Sequence, residues 1–308
     1  MFWRSLLLIV LIIALAFSSY YLYISIQQFN AEPINFIPQE AEQNSGNLSS
    51  SLQFYPNMRF ASKDISYNIS SSCDSEKVAR ILGSFDILKA DGLNFYPANV
   101  SEARISIKCQ TTEVKPGKRE KYYIAGEGGP TAIINTSLFS VIEKGEILLF
   151  YQSDNCDKPN IELHELLHVF GFDHSADASS IMYPTSFCNQ QIPTSIVSEL
   201  RRLYSIPELP DLTFVNISAM KTGSYLDFTL EIINQGLKNA TKISIVLAGD
   251  NVKITNYSLK DIAYGEGRYL EVKNLKVSRN VKELSFLIVN GDELNTENNL
   301  MRLSLPGE

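Results

Sequence analysis

Positive charge is in short supply in this chain. Its 308 residues carry 27 Lys and Arg against 34 Asp and Glu, for a net charge of −7 and a pI of about 5.2. Without a dense basic run there is nothing to neutralise a phosphate backbone, so nucleic acid is excluded as a partner. Lys115, Lys118, Arg119 and Lys121 stand close together but read as a solvated loop between strands. Cysteine is also scarce. Cys73, Cys109, Cys156 and Cys188 are the full set, and no two have C-x-x-C spacing, which argues against a thiolate metal site. Chain order suggests Cys73 with Cys109 and Cys156 with Cys188, one of the three pairings that four cysteines allow. Buried free thiols are the alternative. Histidine is scarcer still, with three in the whole chain. What remains is an ordinary globular composition, 44% hydrophobic and 20% charged. The length suits two domains of moderate size.

Charge is missing altogether from Leu6 to Ile26, and Leu6 to Phe17 is apolar throughout, with Tyr20, Tyr21 and Tyr23 following. About 20 such residues cross a bilayer as a helix, and tyrosines suit its interface. Arg4 before the stretch favours an N-inside orientation. Residues 1–27 are therefore expected to form a transmembrane anchor. The rival is a signal peptide cleaved after Ala14-Leu15-Ala16, giving a secreted protein. Either way the rest of the chain lies outside the cytoplasm, which favours disulfides. Sequons at Asn47, Asn68, Asn99, Asn135, Asn216, Asn239 and Asn256 are compatible with that. Residues 28–51 are polar and aperiodic and read as a flexible stalk. An inhibitory pro-segment is the alternative, although one with no cysteine to offer a metal.

From 52 to 207 strand and helix patterns alternate. Ile65 to Ile69, Ala103 to Cys109, Lys121 to Ala125, Thr131 to Asn135 and Glu146 to Tyr151 read as strands. Gly126-Glu127-Gly128-Gly129-Pro130 and Glu143 to Gly145 read as separators. Asp74 or Ser75 caps a helix bearing Val78, Ile81, Leu82 and Phe85 at helical spacing. A second helix runs from about Pro159 or Asn160 to Phe170, with Gly171 as its left-handed stop. A third runs from Thr194 to Tyr204. Pro207 to Pro210 marks a boundary. From 208 to 308 short beta-rich runs follow: Leu212 to Ile217, Tyr225 to Ile233, Ile243 to Leu247, Tyr269 to Leu275 and Glu283 to Val289. The glycine- and asparagine-rich turns between them signal an all-β sandwich.

All three histidines fall in His164-Glu165-Leu166-Leu167-His168-Val169-Phe170-Gly171-Phe172-Asp173-His174. Residues four apart share a helix face, so His164 and His168 can meet one ion. Gly171 permits a sharp turn that brings His174 round as third ligand. A zinc ion held by three imidazoles keeps one position open for water, and Glu165 stands where a general base is needed. A closed structural zinc would require a fourth protein ligand, and only Asp173 is near.

This pattern, H-E-x-x-H-x-x-G-x-x-H, resembles the metzincin clan of zinc metallopeptidases. Ser180-Ile181-Met182-Tyr183-Pro184 resembles the clan's methionine turn, which implies that Met182 lies beneath the imidazoles. Ser175 after His174 and the Met-Tyr-Pro order look closest to the matrixin branch. The resemblance implies an α+β catalytic domain over 52–207, with a mixed twisted sheet, a zinc helix and a C-terminal helix. It further implies one catalytic Zn2+ and cleavage of protein or peptide substrates along Gly129 to Asn135, with Pro184 to Ser186 as a pocket wall. The chain departs from the branch in lacking a cysteine switch, histidines for a second zinc and clear aspartate runs for calcium, which leaves calcium possible but not indicated. Asp211-Leu212, Ile233-Asn234-Gln235-Gly236 and Asn295-Thr296-Glu297-Asn298-Asn299 resemble the CARDB module of prokaryotic surface proteins, an immunoglobulin-like sandwich. That resemblance implies a spacer, or a binder of surface proteins or glycans. The expected function is a membrane-anchored, extracytoplasmic zinc endopeptidase. Its alternative is a catalytically silent surface adhesion protein that retains the zinc site.

Overall fold

The computed structural model describes residues 52–110, 124–150 and 156–305. The expected anchor at 1–27, the stalk at 28–51 and the Lys115 to Lys121 loop lie outside that range. Among the described residues no helix is long and apolar enough to cross a membrane.

The first half is a mixed sheet carrying three helices. Its strands are β1 (Met58–Phe60), β2 (Asp64–Ile69), β3 (Asn94–Pro97), β4 (Ile105–Gln110), β5 (Gly126–Asn135) and β6 (Ser140–Phe150). They run in the order β1-β6-β4-β2-β3, all parallel, with β5 antiparallel to β6. Helix α1 (Ser75–Lys89) starts where Asp74 caps the Lys77 N–H at 2.8 Å. It lays Ile81, Phe85 and Leu88 on the sheet. Helix α2 (Asn160–Val169) is buried on nearly every side, although Asn160, Glu162, His164, Glu165 and His168 make half of it polar. Its Glu162 is 2% exposed and meets Lys77 Nζ at 3.0 Å and Arg80 Nε at 3.1 Å, so the buried carboxylate is paired. Helix α3 (Thr194–Ser205) buries Ile196, Leu200 and Leu203. The buried Arg59 guanidinium donates to its Leu203 carbonyl and lies 4.5 Å over the Tyr204 ring.

Two sequence expectations need correction. The Gly126 to Pro130 run and the Glu143 to Gly145 run are not separators; they lie inside β5 and β6. The glycines are needed for close approach rather than turning. A Cβ on Gly128 would overlap the Glu165 carbonyl oxygen, one on Gly126 would come within 2.8 Å of the Glu165 side chain, and one on Gly145 would press on Val169. These bare strand positions let α2 lie directly against β5 and β6. Of the strand expected at Lys121 to Ala125, residues 121–123 lie outside the described residues, and Ile124 and Ala125 precede β5 without joining it. The strands β1 and β3 were not anticipated; they are short, and β3 is mostly exposed.

The two disulfides join Cys73 to Cys109 and Cys156 to Cys188, the pairing that chain order suggests. The sequence separations are 36 and 32 residues. Loops of that length imply about 3–4 kcal/mol of stabilisation each through restriction of the unfolded chain.

The second half is an antiparallel sandwich. One sheet has the order β11-β8-β7, built from β7 (Leu212–Thr222), β8 (Tyr225–Asn234) and β11 (Gly267–Lys276). The other has the order β10-β9-β12-β13, from β9 (Ser244–Gly249), β10 (Val252–Ser258), β12 (Glu283–Val289) and β13 (Leu300–Ser304). Inward residues alternate with period two: Leu226, Phe228, Leu230 and Ile232 on β8 face Ile245, Leu247, Phe286 and Ile288. The two halves share a third apolar cluster, in which Phe139 and Val141 meet Leu237, with Tyr264 against them. Around it the Tyr264 hydroxyl donates to Glu143, which also pairs with Arg104, and Thr136 Oγ1 donates to the Gln235 carbonyl at 3.0 Å.

Candidate metal centre

Helix α2 places His164 and His168 one turn apart on one face. The helix then ends through Gly171, whose φ of +85° suits the left-handed conformation. Gly171 N–H donates to His168 O and Phe172 N–H to Leu167 O, closing the last turn. The following residues return, and His174 arrives opposite the helix. His168 Nε2 lies 3.0 Å from His164 Nε2 and 3.2 Å from His174 Nε2. One ligand atom from each ring falls within 4.8 Å of the others.

Backbone carbonyls set the ring orientations. His164 Nδ1 lies 2.7 Å from Ile181 O, and His168 Nδ1 lies 2.7 Å from Phe172 O. A carbonyl only accepts, so each Nδ1 carries the proton and each Nε2 turns a lone pair toward the centre. Convergent lone pairs repel each other unless a cation stands between them. The donor set, neutral imidazole nitrogen with second-atom bonds to carbonyls, fits zinc. Asp173 is not part of the cluster; its Oδ1 accepts the His174 N–H at 2.6 Å.

Glu165 is 7% exposed and accepts from the Gly128 N–H of β5. Burial first, then the charges of Glu127 and Glu162, push its carboxyl up to about 8, and the Gly128 bond opposes them. Met182 is fully buried, and its carbonyl accepts from Ser175 N–H at 2.8 Å, immediately after His174. The turn at Ser180 to Tyr183 thus holds both His164, through Ile181 O, and the chain beyond His174.

One contributor was not anticipated. The segment just ahead of β1 crosses the centre. Phe54 N–H donates to Gly171 O, Asp173 N–H donates to Leu52 O, and the Phe54 ring stacks on His168 with centroids 5.9 Å apart. Beside it a cleft of about 620 Å³ is lined by Phe54, Tyr55, Gly128, Pro130, Ile133 and Asp173. A short polar-aromatic segment carries no sequence periodicity that would have announced this role.

The partial burial of His164 makes the metal-free protein acid-sensitive. Burial and the neighbouring His168 and His174 lower His164 to about 4, against a backbone bond to Ile181 that raises it. Its folded pKa thus lies below the unfolded value, so the unfolded chain takes the proton first as pH falls below about 6.5. Chelated protein is expected to lose up to about 3 kcal/mol between pH 6.5 and 4 on this account. Urea midpoints measured across that window should fall steeply in the wild type and less in His164→Gln. Equal slopes in the two would remove His164 as the cause.

Residues 59–204 match the matrixin family model, Peptidase_M10. No curated protein matches the chain. Among solved structures the chain is similar to a domain of a Methanosarcina acetivorans protein whose name assigns it to the cell surface. The identity is 16%, with 32% of this chain and 95% of that one covered and a TM-score of 0.28. It is also similar to a CARDB domain from Pyrococcus furiosus, crystallised with metal ions, at 15% identity, with 32% and 90% covered and a TM-score of 0.26. The histidine cluster, the glutamate beside it and the methionine-containing turn all lie inside the segment that matches the matrixin family of peptidases.

Proposed function

We propose that the protein is a zinc-dependent endopeptidase, with zinc held by His164, His168 and His174 and with Glu165 as general base and then general acid. The observation that carries this reading is the convergence of three imidazole nitrogens, one from each ring, within 4.8 Å, beside a buried carboxyl group. Bound zinc supplies Lewis acidity: it acidifies water toward a pKa of about 7 and polarises a carbonyl oxygen. Glu165 accepts the proton of the attacking water and passes it to the leaving amine. The Gly128 N–H holds one orientation of that carboxylate, so the proton is exchanged at the face turned to the centre.

An extended substrate is expected to pair with β5. That strand bonds only to β6 among the described strands, and its free edge supports strand addition to a peptide. The cleft flanked by Phe54, Tyr55 and Pro130 then receives apolar side chains on one side of the cleaved bond, and Pro184 to Ser186 walls the other. Met182 provides an apolar floor under the imidazoles. The uncharged Leu6 to Ile26 stretch and the two disulfides support an extracytoplasmic catalytic half held at the membrane. The sandwich spaces the enzyme or binds surface proteins or glycans.

The test is metal content and turnover together. Purified full-length protein should contain one zinc per chain and cleave an unfolded protein substrate. Chelation should stop cleavage, and added Zn2+ should restore it. Stoichiometric zinc with no cleavage of any unfolded substrate would favour the silent adhesion protein instead.

A further inference from the structure

The C-terminal half contains a second concentration of metal-type donors, far simpler in kind than the first. Asp211 opens the sandwich and is 1% exposed. Its Oδ1 accepts from Asn298 Nδ2 at 2.9 Å, and its Oδ2 is 3.4 Å from Gln235 Nε2. The next residue, Leu212, donates its N–H to Glu293 Oε2 at 2.9 Å. Asn299, 5% exposed, lies with Asn290 beside the Glu293 carboxylate. Burial raises the proton affinity of both carboxyl groups, and the charge of Asp211 raises that of Glu293 further.

Two features of this cluster are unexplained by the protein alone. Neither carboxylate has an ion pair among the described residues, and no cation acts on either. Asp211 is buried and Glu293 half-buried, and like charges so placed are costly without a counter-charge. In addition, Glu293 Oε1, Asn298 Oδ1 and Asn299 Oδ1 are buried with no hydrogen-bond partner, and they are the only such side-chain atoms among the described residues. Three orphaned acceptors on residues that adjoin Asp211 and Glu293 call for a donor or a cation, and the uncompensated negative charge beside them favours a cation.

We propose that Asp211, Glu293, Asn298 and Asn299 form a binding site for one hard divalent cation of the calcium class. The donors are all oxygen, two anionic and two neutral carbonyl, which suits calcium and excludes the soft metals that prefer nitrogen or sulfur. The ion fastens the entry of the sandwich to the 3-10 turn at Glu297–Asn299 that precedes β13. It also steadies the junction with the catalytic half. Gln235 touches Asp211 on one side, and on the other its side chain accepts from Ser137 and its carbonyl from Thr136. The site is independent of the zinc reading, because none of its residues contributes to the histidine centre.

The test uses full-length, zinc-loaded protein titrated with Ca2+, with calorimetric uptake and thermal midpoint as readouts. One calcium per chain is expected, raising the midpoint by about 5 °C at a hundredfold excess over Kd. Glu293→Gln keeps the acceptor for Leu212 N–H but removes a charge, and should weaken uptake about tenfold or more. Asn299→Asp adds a charged donor. It should tighten uptake while lowering the midpoint in chelator, since a third carboxylate without the ion only adds repulsion. The proposal falls if calcium is not taken up, or if Glu293→Gln binds it as well as the wild type. It falls equally if Asn299→Asp is destabilised and calcium fails to rescue it.

Discussion

Replacing Glu165 with glutamine should lower kcat/KM on a peptide substrate by about 100- to 10,000-fold while leaving the zinc content at one per chain. The side chains differ by a single atom at the carboxyl group. Glutamine can still accept from the Gly128 N–H, and His164 and His168 keep their carbonyl partners at Ile181 and Phe172. What is lost is the ability to take a proton and give it back. The deep burial that pushes the Glu165 carboxyl up to about 8 also makes it a strong acceptor once it is ionised, and a dication beside it favours that ionised form. The loss is therefore expected in kcat, with KM little changed, because the carboxyl acts on the reacting water and not on the substrate's binding contacts. Residual activity equal to the wild type would mean that the base lies elsewhere. Equal inactivity of both would leave a zinc-binding domain without turnover.

The centre was legible in sequence because its logic is local. One helical turn sets His164 against His168, and a single glycine sets the bend to His174, so spacing alone reports the geometry. The sandwich was legible where burial alternates, as on β8, and illegible where it does not. The strands β10 and β13 are largely exposed and carry no apolar rhythm. Tertiary partners left no local trace. Glu162 looks like an ordinary helix carboxylate until Lys77 and Arg80 are seen beside it, and Phe54 looks like linker until its ring covers His168. The glycine-rich run was misread for a physical reason. In sequence, glycine signals freedom to turn, but it equally signals the lack of a side chain, and here the second property governs the fold.

That distinction gives the sharpest structural expectation. Gly128→Ala should destabilise the protein by several kcal/mol and weaken zinc retention, whereas Gly129→Ala, one residue along the same strand, should be nearly silent. A Cβ at 128 meets the Glu165 carbonyl oxygen and its backbone neighbours, which cannot rotate away as a side chain would. At 129 nothing lies within 4 Å. The only relief at 128 is to push α2 off β5. That movement would lengthen the Gly128 to Glu165 hydrogen bond and carry His164 and His168 away from His174, which is fixed through Ser175 and Met182 rather than through the helix. Overpacking of this kind typically costs about 1–3 kcal/mol in a core whose side chains can adjust, and a rigid backbone obstacle places it at or beyond the top of that range. Thermal midpoints of both variants, with zinc dissociation followed by a chromogenic chelator, would separate the two positions. If Gly128→Ala kept wild-type stability and zinc release, the tight contact between strand and helix would not be what holds the three imidazoles together.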